Sequence, residues 1–221
     1  MISLTLIRYV SIGTIAMLLP VLLLSWWYRI KWYKSLLITF LLTISGTIGT
    51  YVLFYIENGW IGGTSFYGAV FLVPVLFIPV AKLVKLPYGT LMDLCAPAEC
   101  IMLVIMKVQC VIYGCCGGRE LSVAGNVFRF PSQYAEMINA FVLMIVLMLL
   151  SRKRGNRGSI YPWYMAIYGV TRFVLNLLRQ NNTPFALGLS AGCFWSVWSV
   201  IFGTAGLVLW YRKKKQEAAT S

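Results

Sequence analysis

Seven long apolar runs set the environment in which this chain can fold. Each run holds about 20 residues, the length that a helix needs to cross the hydrocarbon core of a bilayer. With 60% hydrophobic and 11% charged residues in 221, the chain carries more apolar surface than a soluble domain of its size can bury. The sequence therefore predicts an all-α integral membrane protein with about seven transmembrane helices, near 6–27, 35–56, 64–85, 90–113, 133–151, 159–178 and 188–211.

Clusters of lysine and arginine between these runs predict the orientation. Four clusters fall on alternate connections, and cytoplasmic loops are enriched in these residues. The N-terminus is therefore expected outside and the C-terminus in the cytoplasm. Despite a net charge of +13, nucleic acid is not an expected partner, because the cations are not spread over one face. The clusters are Arg29 to Lys34, Lys82 and Lys85, Arg152 to Arg157, and Arg212 to Lys215.

The segments outside the runs indicate one domain. Residues 1–215 are expected to form a single polytopic membrane domain, whose first run is a retained helix because no small-residue cleavage site follows it. A glycine-rich outer loop at about 114–132 is too polar to be another span and is a candidate lid or small head. Residues 216–221 are expected to be a disordered tail.

Several ionisable side chains lie inside the predicted spans, where each costs about 2.5–3.5 kcal/mol to insert. Lys107, Glu136 and Arg172 all fall in outer halves, and Tyr67 begins another span at the same level. One interpretation is a structural brace between Glu136 and a single cation. The other is a binding site, because the surplus of positive charge suits an anionic ligand such as a phospholipid phosphate.

More polar and small residues fall near this level. Asn176 and Arg179 follow Arg172 at helical spacing, and Cys110 follows Lys107 on one helix face. The segment Gly62 to Gly68 allows close backbone approach to an anion, although tight packing at a helix start is an equally simple explanation. The residues expected to bind substrate are Gly63, Ser65, Gly68, Cys110, Gly114, Gln133, Asn176 and Arg179.

Two further carboxylates lie deeper in the fourth span. Asp93 falls in its inner half and Glu99 near its middle, with Ala96-Pro97 between them. A proline inside a helix frees backbone groups that need other partners. We expect a structural role for Asp93.

The six cysteines and the absence of histidine exclude His-containing zinc sites and Ser-His or Cys-His catalytic pairs. The cysteine spacing matches no standard metal pattern, so no metal or cofactor is expected. For Cys110, Cys115 and Cys116, a disulfide, a thiolate near Lys107 and simple packing all remain open. Cys95, Cys100 and Cys193 are interpreted as small apolar fillers.

Five segments occur in an order typical of one known family. They are Gly62 to Gly68, Asp93 with Ala96-Pro97, Lys107 to Gly118, Pro131-Ser132-Gln133 with Glu136, and Tyr168-Gly169 with Arg172-Phe173 and Arg179. In this order they resemble the bacterial prolipoprotein diacylglyceryl transferases, over roughly residues 62–179. The resemblance implies a seven-span enzyme of the bacterial cytoplasmic membrane with its N-terminus outside.

The chain departs from the family pattern at four positions. Tyr67 replaces the histidine of Gly-Gly-x-Ser-Phe-His-Gly, and Lys107 replaces the arginine of Gly-Arg-x-Gly-Asn. Asn176 stands where the family has a glutamate four residues after its conserved arginine, and Tyr113-Gly114-Cys115 where it has Asn-Gly-Glu. These changes keep the cationic character but remove the imidazole, which marks a divergent member.

The resemblance implies transfer of the diacylglyceryl group of phosphatidylglycerol to the thiol of a lipobox cysteine in a secreted preprotein. Lys107 and Arg172 would bind the phosphate with help from Arg179, and Tyr67 or Glu136 would take the thiol proton. The expected partners are therefore phosphatidylglycerol, such a preprotein and membrane lipid. Two alternatives remain: a lipid-linked transferase with another acceptor, and a non-catalytic lipid-binding or redox membrane protein that uses its cysteine cluster.

Overall fold

Seven long helices form most of the protein in a computed structural model, which describes residues 4–60, 62–114, 117–123, 126–180 and 184–220. Membrane-spanning chains favour helices because each backbone N–H and C=O is satisfied within its own segment. The predicted all-α membrane class is confirmed. The helices are α1 (Leu4–Tyr28), α2 (Trp32–Asn58), α3 (Tyr67–Val84), α4 (Tyr88–Ile112), α5 (Ser132–Arg152), α6 (Ile160–Leu177) and α7 (Ala191–Thr220).

Six of the described helices are long and apolar enough to cross a membrane, and α6 is the exception. Its sequence carries Arg172 and Asn176, and its buried face is rich in tyrosine. The opposite face exposes Val170 and Val174. The helix at the predicted sixth span is thus amphipathic, with apolar side chains outward and polar ones toward its neighbours.

The four basic clusters meet at one end of the bundle. Lysine and arginine side chains there donate hydrogen bonds to backbone carbonyls at the ends of neighbouring elements. Since cytoplasmic loops are enriched in these residues, this end faces the cytoplasm. The contacts are Lys34 Nζ to Val84 O (2.7 Å), Arg157 Nη2 to Trp27 O (3.2 Å) and Lys214 Nζ to Gly155 O (2.8 Å).

Asp93 fixes the cytoplasmic end of α6. Its Oδ2 accepts a hydrogen bond from the backbone N–H of Gly158 at 2.5 Å, and its Oδ1 from that of Ile160 at 2.9 Å. A carboxylate at a helix N-terminus satisfies otherwise unpaired donors and complements the helix dipole. The predicted structural role of Asp93 is confirmed, and α4 thereby sets the position of α6.

Two short antiparallel hairpins lie at the opposite, outer end. In the first, β1 (Glu120–Val123) pairs with β2 (Asn126–Arg129), inside the predicted outer loop. In the second, β3 (Pro184–Ala186) pairs with β4 (Leu189–Ser190) just before α7. The segment before β1 is also held against the chain that follows α6, because Arg119 N–H donates to the Leu178 carbonyl at 2.9 Å.

The last helix is longer than the membrane requires. α7 continues to Thr220, so the tail that was expected to be disordered is helical up to this residue. Lys213 and Glu217, one turn apart, form an ion pair at 3.9 Å. Pairs at this spacing stabilise exposed helix, so this pair contributes to its extension beyond the apolar run.

Candidate active site

Glu136 lies at the centre of a group of cations near the outer end of the bundle. Its side chain is 2% exposed, and Lys107 Nζ lies 2.5 Å from its Oε2. Arg172 Nη1 pairs with the same oxygen, and Arg179 Nε lies 4.0 Å from Oε1. We call these four residues the Glu136 cluster. The structure thus brings together four residues that were predicted to lie close to one another: Lys107, Glu136, Arg172 and Arg179.

Three consecutive helices bring these side chains to one depth. Lys107 lies in the last two turns of α4, Glu136 in the first two turns of α5, and Arg172 in the last two turns of α6. Because successive helices run in opposite directions, the end of one and the start of the next lie at the same level. The polar residues are far apart in sequence but adjacent in space.

Arg179 reaches the cluster by a different route. It follows the end of α6 and pairs through its backbone with Gly118 in an isolated antiparallel bridge. The Gln180 N–H also donates to the Gly117 carbonyl at 3.3 Å. The outer loop therefore positions Arg179, although the loop itself contributes no charged side chain to the Glu136 cluster.

The cluster holds three positive charges and one negative charge in a nearly buried place. The side chains of Lys107 and Arg172 are 10% and 12% exposed, and that of Arg179 is 23% exposed. Burying charge is costly unless it is paired, and one carboxylate balances only one of the three cations. The cluster is therefore suited to a second anion, and guanidinium and ammonium groups are good donors to phosphate.

Residues 2–210 match the sequence profile described as prolipoprotein diacylglyceryl transferase. The chain belongs to this family. The fold and the transferase class implied by the resemblance are confirmed. The residues that depart from the family pattern therefore occur in a member of an enzyme family.

Individual relatives are similar along different lengths. A phosphatidylglycerol–prolipoprotein diacylglyceryl transferase of Geobacter sulfurreducens is 33% identical over 144 residues, which cover 61% of this chain and 55% of the relative. The enzyme of the same name from Aeromonas hydrophila is 29% identical over 216 residues, covering 87% of this chain and 78% of the relative. That of Mannheimia succiniciproducens is 28% identical, covering 77% and 72%. The first alignment thus spans about half the length of the relative.

Tyr67, at the position of the histidine in the family motif, contacts residues of α6 and α7. Its hydroxyl forms a 2.7 Å hydrogen bond with Ser196 Oγ on α7, and its side chain is buried. Its ring packs against that of Tyr168, one turn before Arg172, with centroids 5.4 Å apart. Tyr67 thereby connects α3 to both α6 and α7. Ser196 gave no signal in the sequence, because a serine within an apolar span is a common residue.

Ser65 and Gly68, at the start of α3, contact residues of α2. Ser65 Oγ donates to Glu57 Oε1 at 2.7 Å. Gly68 packs against Gly49 of α2 so closely that a Cβ on Gly49 would lie 2.5 Å from the Gly68 carbonyl oxygen. These contacts are structural, since small residues let membrane helices approach. Gly63 instead lines a cavity between α1, α2, α3 and α4.

Asn176 contacts residues at the start of α7. Although it follows Arg172 by four residues, its Nδ2 donates to Ser190 Oγ at 2.6 Å and to Cys193 Sγ at 3.3 Å. Its side chain lies over Gly192, where an added Cβ would come within 2.7 Å of Asn176 Oδ1. Asn176 holds the start of α7 against α6.

Three other predicted residues lie around the outer ends of α4 and α5. Cys110 is half-buried in the last turn of α4, and Gln133 is half-buried in the first turn of α5. Gly114 has a φ of +64° in the turn that ends α4, a conformation that favours glycine. Cys115 and Cys116 lie outside the described residues. Within the part of the chain that the structure describes, no group of three or more metal-ligating side chains is found.

Glu99 is a further buried polar residue, which the sequence analysis placed near the middle of the fourth span without assigning it a role. Its side chain is buried near the middle of α4, and Tyr161 donates a hydrogen bond to its Oε1 at 3.1 Å. Its Oε2 has no hydrogen-bond partner among the described residues. Glu99 lines the same cavity as Gly63.

Proposed function

We propose that this protein moves the diacylglyceryl group of phosphatidylglycerol to the thiol of a lipobox cysteine in a secreted preprotein. Support comes from membership of the transferase family and from relatives whose names state this donor and a prolipoprotein acceptor. The basic end of the bundle faces the cytoplasm, as it would in the bacterial cytoplasmic membrane. The reaction then takes place near the outer leaflet, where secreted preproteins arrive.

The observation that carries the proposal is the excess of positive charge around Glu136. Lys107, Arg172 and Arg179 surround one carboxylate within 4.0 Å, so a phosphodiester can take up the surplus. Cations that hold a phosphate also stabilise the negative charge that develops on it as it leaves. A brace would need only one of the three.

The same geometry supports a role for each charged group. When a phospholipid phosphate binds, Lys107 and Arg172 turn part of their hydrogen bonding from Glu136 to the phosphate oxygens. Glu136 is then less well satisfied and takes the proton from the thiol. The sulfur forms a bond to the glycerol carbon of the diacylglyceryl group, the bond from that carbon to the phosphate oxygen breaks, and glycerol phosphate leaves with the electron pair.

Tyr67 has a positioning role in this scheme. Its hydroxyl is bonded to Ser196, and its ring packs on the helix that carries Arg172. Tyr67 thereby sets the distance between α3 and the cation-bearing face of α6.

The test is reconstitution. Purified protein in vesicles that contain phosphatidylglycerol is incubated with a fluorescent lipobox peptide, and the product is weighed by mass spectrometry. The expected product is the peptide plus one diacylglyceryl group, with one equivalent of glycerol phosphate released. A peptide with serine in place of the lipobox cysteine is the matched control and should remain unmodified. Glycerol phosphate release without peptide modification would reject the lipobox acceptor, and no release would reject the transferase.

A further inference from the structure

A recess of about 410 Å³ lies at the basic end of the bundle. Its wall comes from the connection between α1 and α2, the connection between α3 and α4, and Arg157 just before α6. Thr90 in this wall precedes Lys107 of the Glu136 cluster by seventeen residues on α4, which is about 25 Å along the helix axis. This recess, which we call the inner recess, is therefore separate from the candidate active site.

Four side chains that line the inner recess are positively charged, and neither aspartate nor glutamate is among its described lining residues. The four cations are Arg29, Lys31, Lys34 and Arg157. Within the described part of the chain, none of them forms an ion pair with a carboxylate. Cations that line a concave place focus a positive potential there and attract anions. The inner recess is therefore suited to an anionic ligand.

Two of these cations are held in place by other contacts. Lys34 Nζ donates to the Val84 carbonyl at 2.7 Å, and Arg157 Nη2 donates to the Trp27 carbonyl at 3.2 Å. The Arg157 guanidinium also lies over the Tyr28 ring, 4.4 Å from its centre. These hydrogen bonds use one of three ammonium donors and one of five guanidinium donors. The remaining donors are available to phosphate oxygens, and less side-chain freedom is lost when they bind.

The surroundings of the inner recess favour a lipid over a soluble anion. Trp26 and Trp32 lie next to lining residues in the sequence and are 75% and 68% exposed, and tryptophan is enriched at the level of lipid headgroups. Ile30 and Leu86 add apolar wall. Basic pockets between membrane helices at the cytoplasmic side are suited to phospholipid headgroups. The phosphate of such a lipid would meet the cations while its glycerol backbone lies against the apolar residues.

We propose that the inner recess binds the phosphate of an anionic phospholipid from the cytoplasmic leaflet. This site differs from the Glu136 cluster because it lies at the opposite end of the bundle and has no carboxylate among its described lining residues. A lipid bound there connects α1, α2, α4 and the start of α6. The site goes beyond the transferase function proposed above and does not require it, and it is tested without measuring transfer.

The test uses a dioleoyl phospholipid whose phosphodiester head carries a small diazirine group. The full-length protein is illuminated with this lipid in micelles of an uncharged detergent, and the adducts are located by peptide mass spectrometry. Adducts should fall within residues 28–34 and 86–90, apart from any at the Glu136 cluster. A matched lipid with a quaternary ammonium in its head, which makes it zwitterionic, should give about tenfold fewer adducts at the recess. Equal labelling by the two lipids would show that the cations do not select an anionic head and would overturn the proposal.

Two glycine variants separate the recess from basic charge in general. Arg29 and Lys85 each follow the end of a helix with a positive φ, +56° and +53°, a conformation that favours glycine. Of the two, only Arg29 is a described lining residue of the recess. Arg29→Gly and Lys85→Gly thus remove the same charge from the same end of the protein, and both relieve backbone strain. Arg29→Gly should lower labelling of the recess by about tenfold, and Lys85→Gly by less than about twofold. Equal losses in the two variants would show a basic surface without a site and would refute the proposal.

Competition distinguishes a lipid from a soluble anion. Unlabelled dioleoyl phosphatidylglycerol in about tenfold excess should lower the adducts at the recess by about tenfold. Inorganic phosphate at the same concentration should leave them unchanged, because it has no glycerol backbone or acyl chains to lie against the apolar wall. Protection by phosphate equal to that by the lipid would show a site for soluble anions, and absence of protection by the lipid would show non-specific labelling. Either result contradicts the proposal, and both are measured on the wild-type protein.

Discussion

Glu136 and Glu99 are both buried glutamates within membrane helices, yet their surroundings are opposite. Their exposed fractions are 2% and 3%. Glu136 is surrounded by Lys107, Arg172 and Arg179, whereas Glu99 has a phenol on one oxygen and a cavity beside it. Burial alone therefore does not define the role of a membrane carboxyl. The charge of its partners decides whether it is held as an anion or is better kept neutral.

The largest expected difference comes from making the same substitution at both sites. Glu136→Gln leaves three cations without their anion and should destabilise the fold by about 3–5 kcal/mol. Glu99 has no ion pair in the described part of the chain, and Glu99→Gln keeps an acceptor for Tyr161, so the effect of this substitution should be much smaller. The free energy of unfolding from mixed micelles, measured by detergent titration, checks both. Equal losses in the two variants would show that their surroundings do not distinguish them.

The next largest effect concerns transfer. Arg172→Ala removes a donor from the phosphate site and should lower the rate of diacylglyceryl transfer by about 10²–10³-fold. Arg172→Lys should lose less, because it keeps the charge but not the planar pair of donors. Arg119→Ala, at an exposed outer-loop arginine outside the cluster, is the matched control and should stay active. Wild-type rates in Arg172→Ala would mean that the cluster is only a brace.

Asp93 extends the comparison to a third buried carboxylate, which is satisfied by backbone donors. Asp93→Asn keeps one acceptor oxygen but loses the other and the charge at the N-terminus of α6. The expected cost is about 1 kcal/mol of unfolding free energy, with the order Glu136, Asp93, Glu99 across the three amide variants. The same detergent titration gives this order. A loss at Asp93 as large as that at Glu136 would contradict its assignment as a cap.

The smallest predicted effect tests which group takes the thiol proton. Tyr67→Phe deletes the hydrogen bond to Ser196 and should cost about 1 kcal/mol of stability. Transfer should remain within about fivefold of the wild-type rate, since the ring and its packing are retained. A single-turnover assay measures this. Complete loss of transfer in a folded Tyr67→Phe protein would assign the proton to Tyr67 and remove it from Glu136.

Part of the candidate site could be read from the sequence, because its signals are local. A charged side chain inside an apolar run is conspicuous at any position, and this singled out Lys107, Glu136 and Arg172. Their common depth followed from counting residues along helices of fixed rise. Arg179 also lies near Glu136, but the backbone bridge to Gly118 that holds it there depends on a loop whose path the sequence did not indicate.

The neighbours of a side chain also depend on helix rotation and close packing, which the sequence pattern does not record. Asn176 is one turn from Arg172, and it donates hydrogen bonds to Ser190, just before α7, and to Cys193 in the first turn of α7. Gly68 was predicted to bind substrate, and in the structure its small size lets α2 and α3 approach at Gly49. Spacing gives the angle between two residues on one helix, and it does not give the neighbour that each will meet.

The sequence by itself determined the membrane class, the number of helices, the cytoplasmic end and the depth of each charged residue. These follow from hydropathy, charge and helix geometry, which act over a few turns of chain. Only the tertiary structure decided that Glu136 would be shared by three cations while Glu99 would border a cavity. Those outcomes depend on how helices from distant parts of the chain rotate and pack, and hence on contacts that no local pattern records.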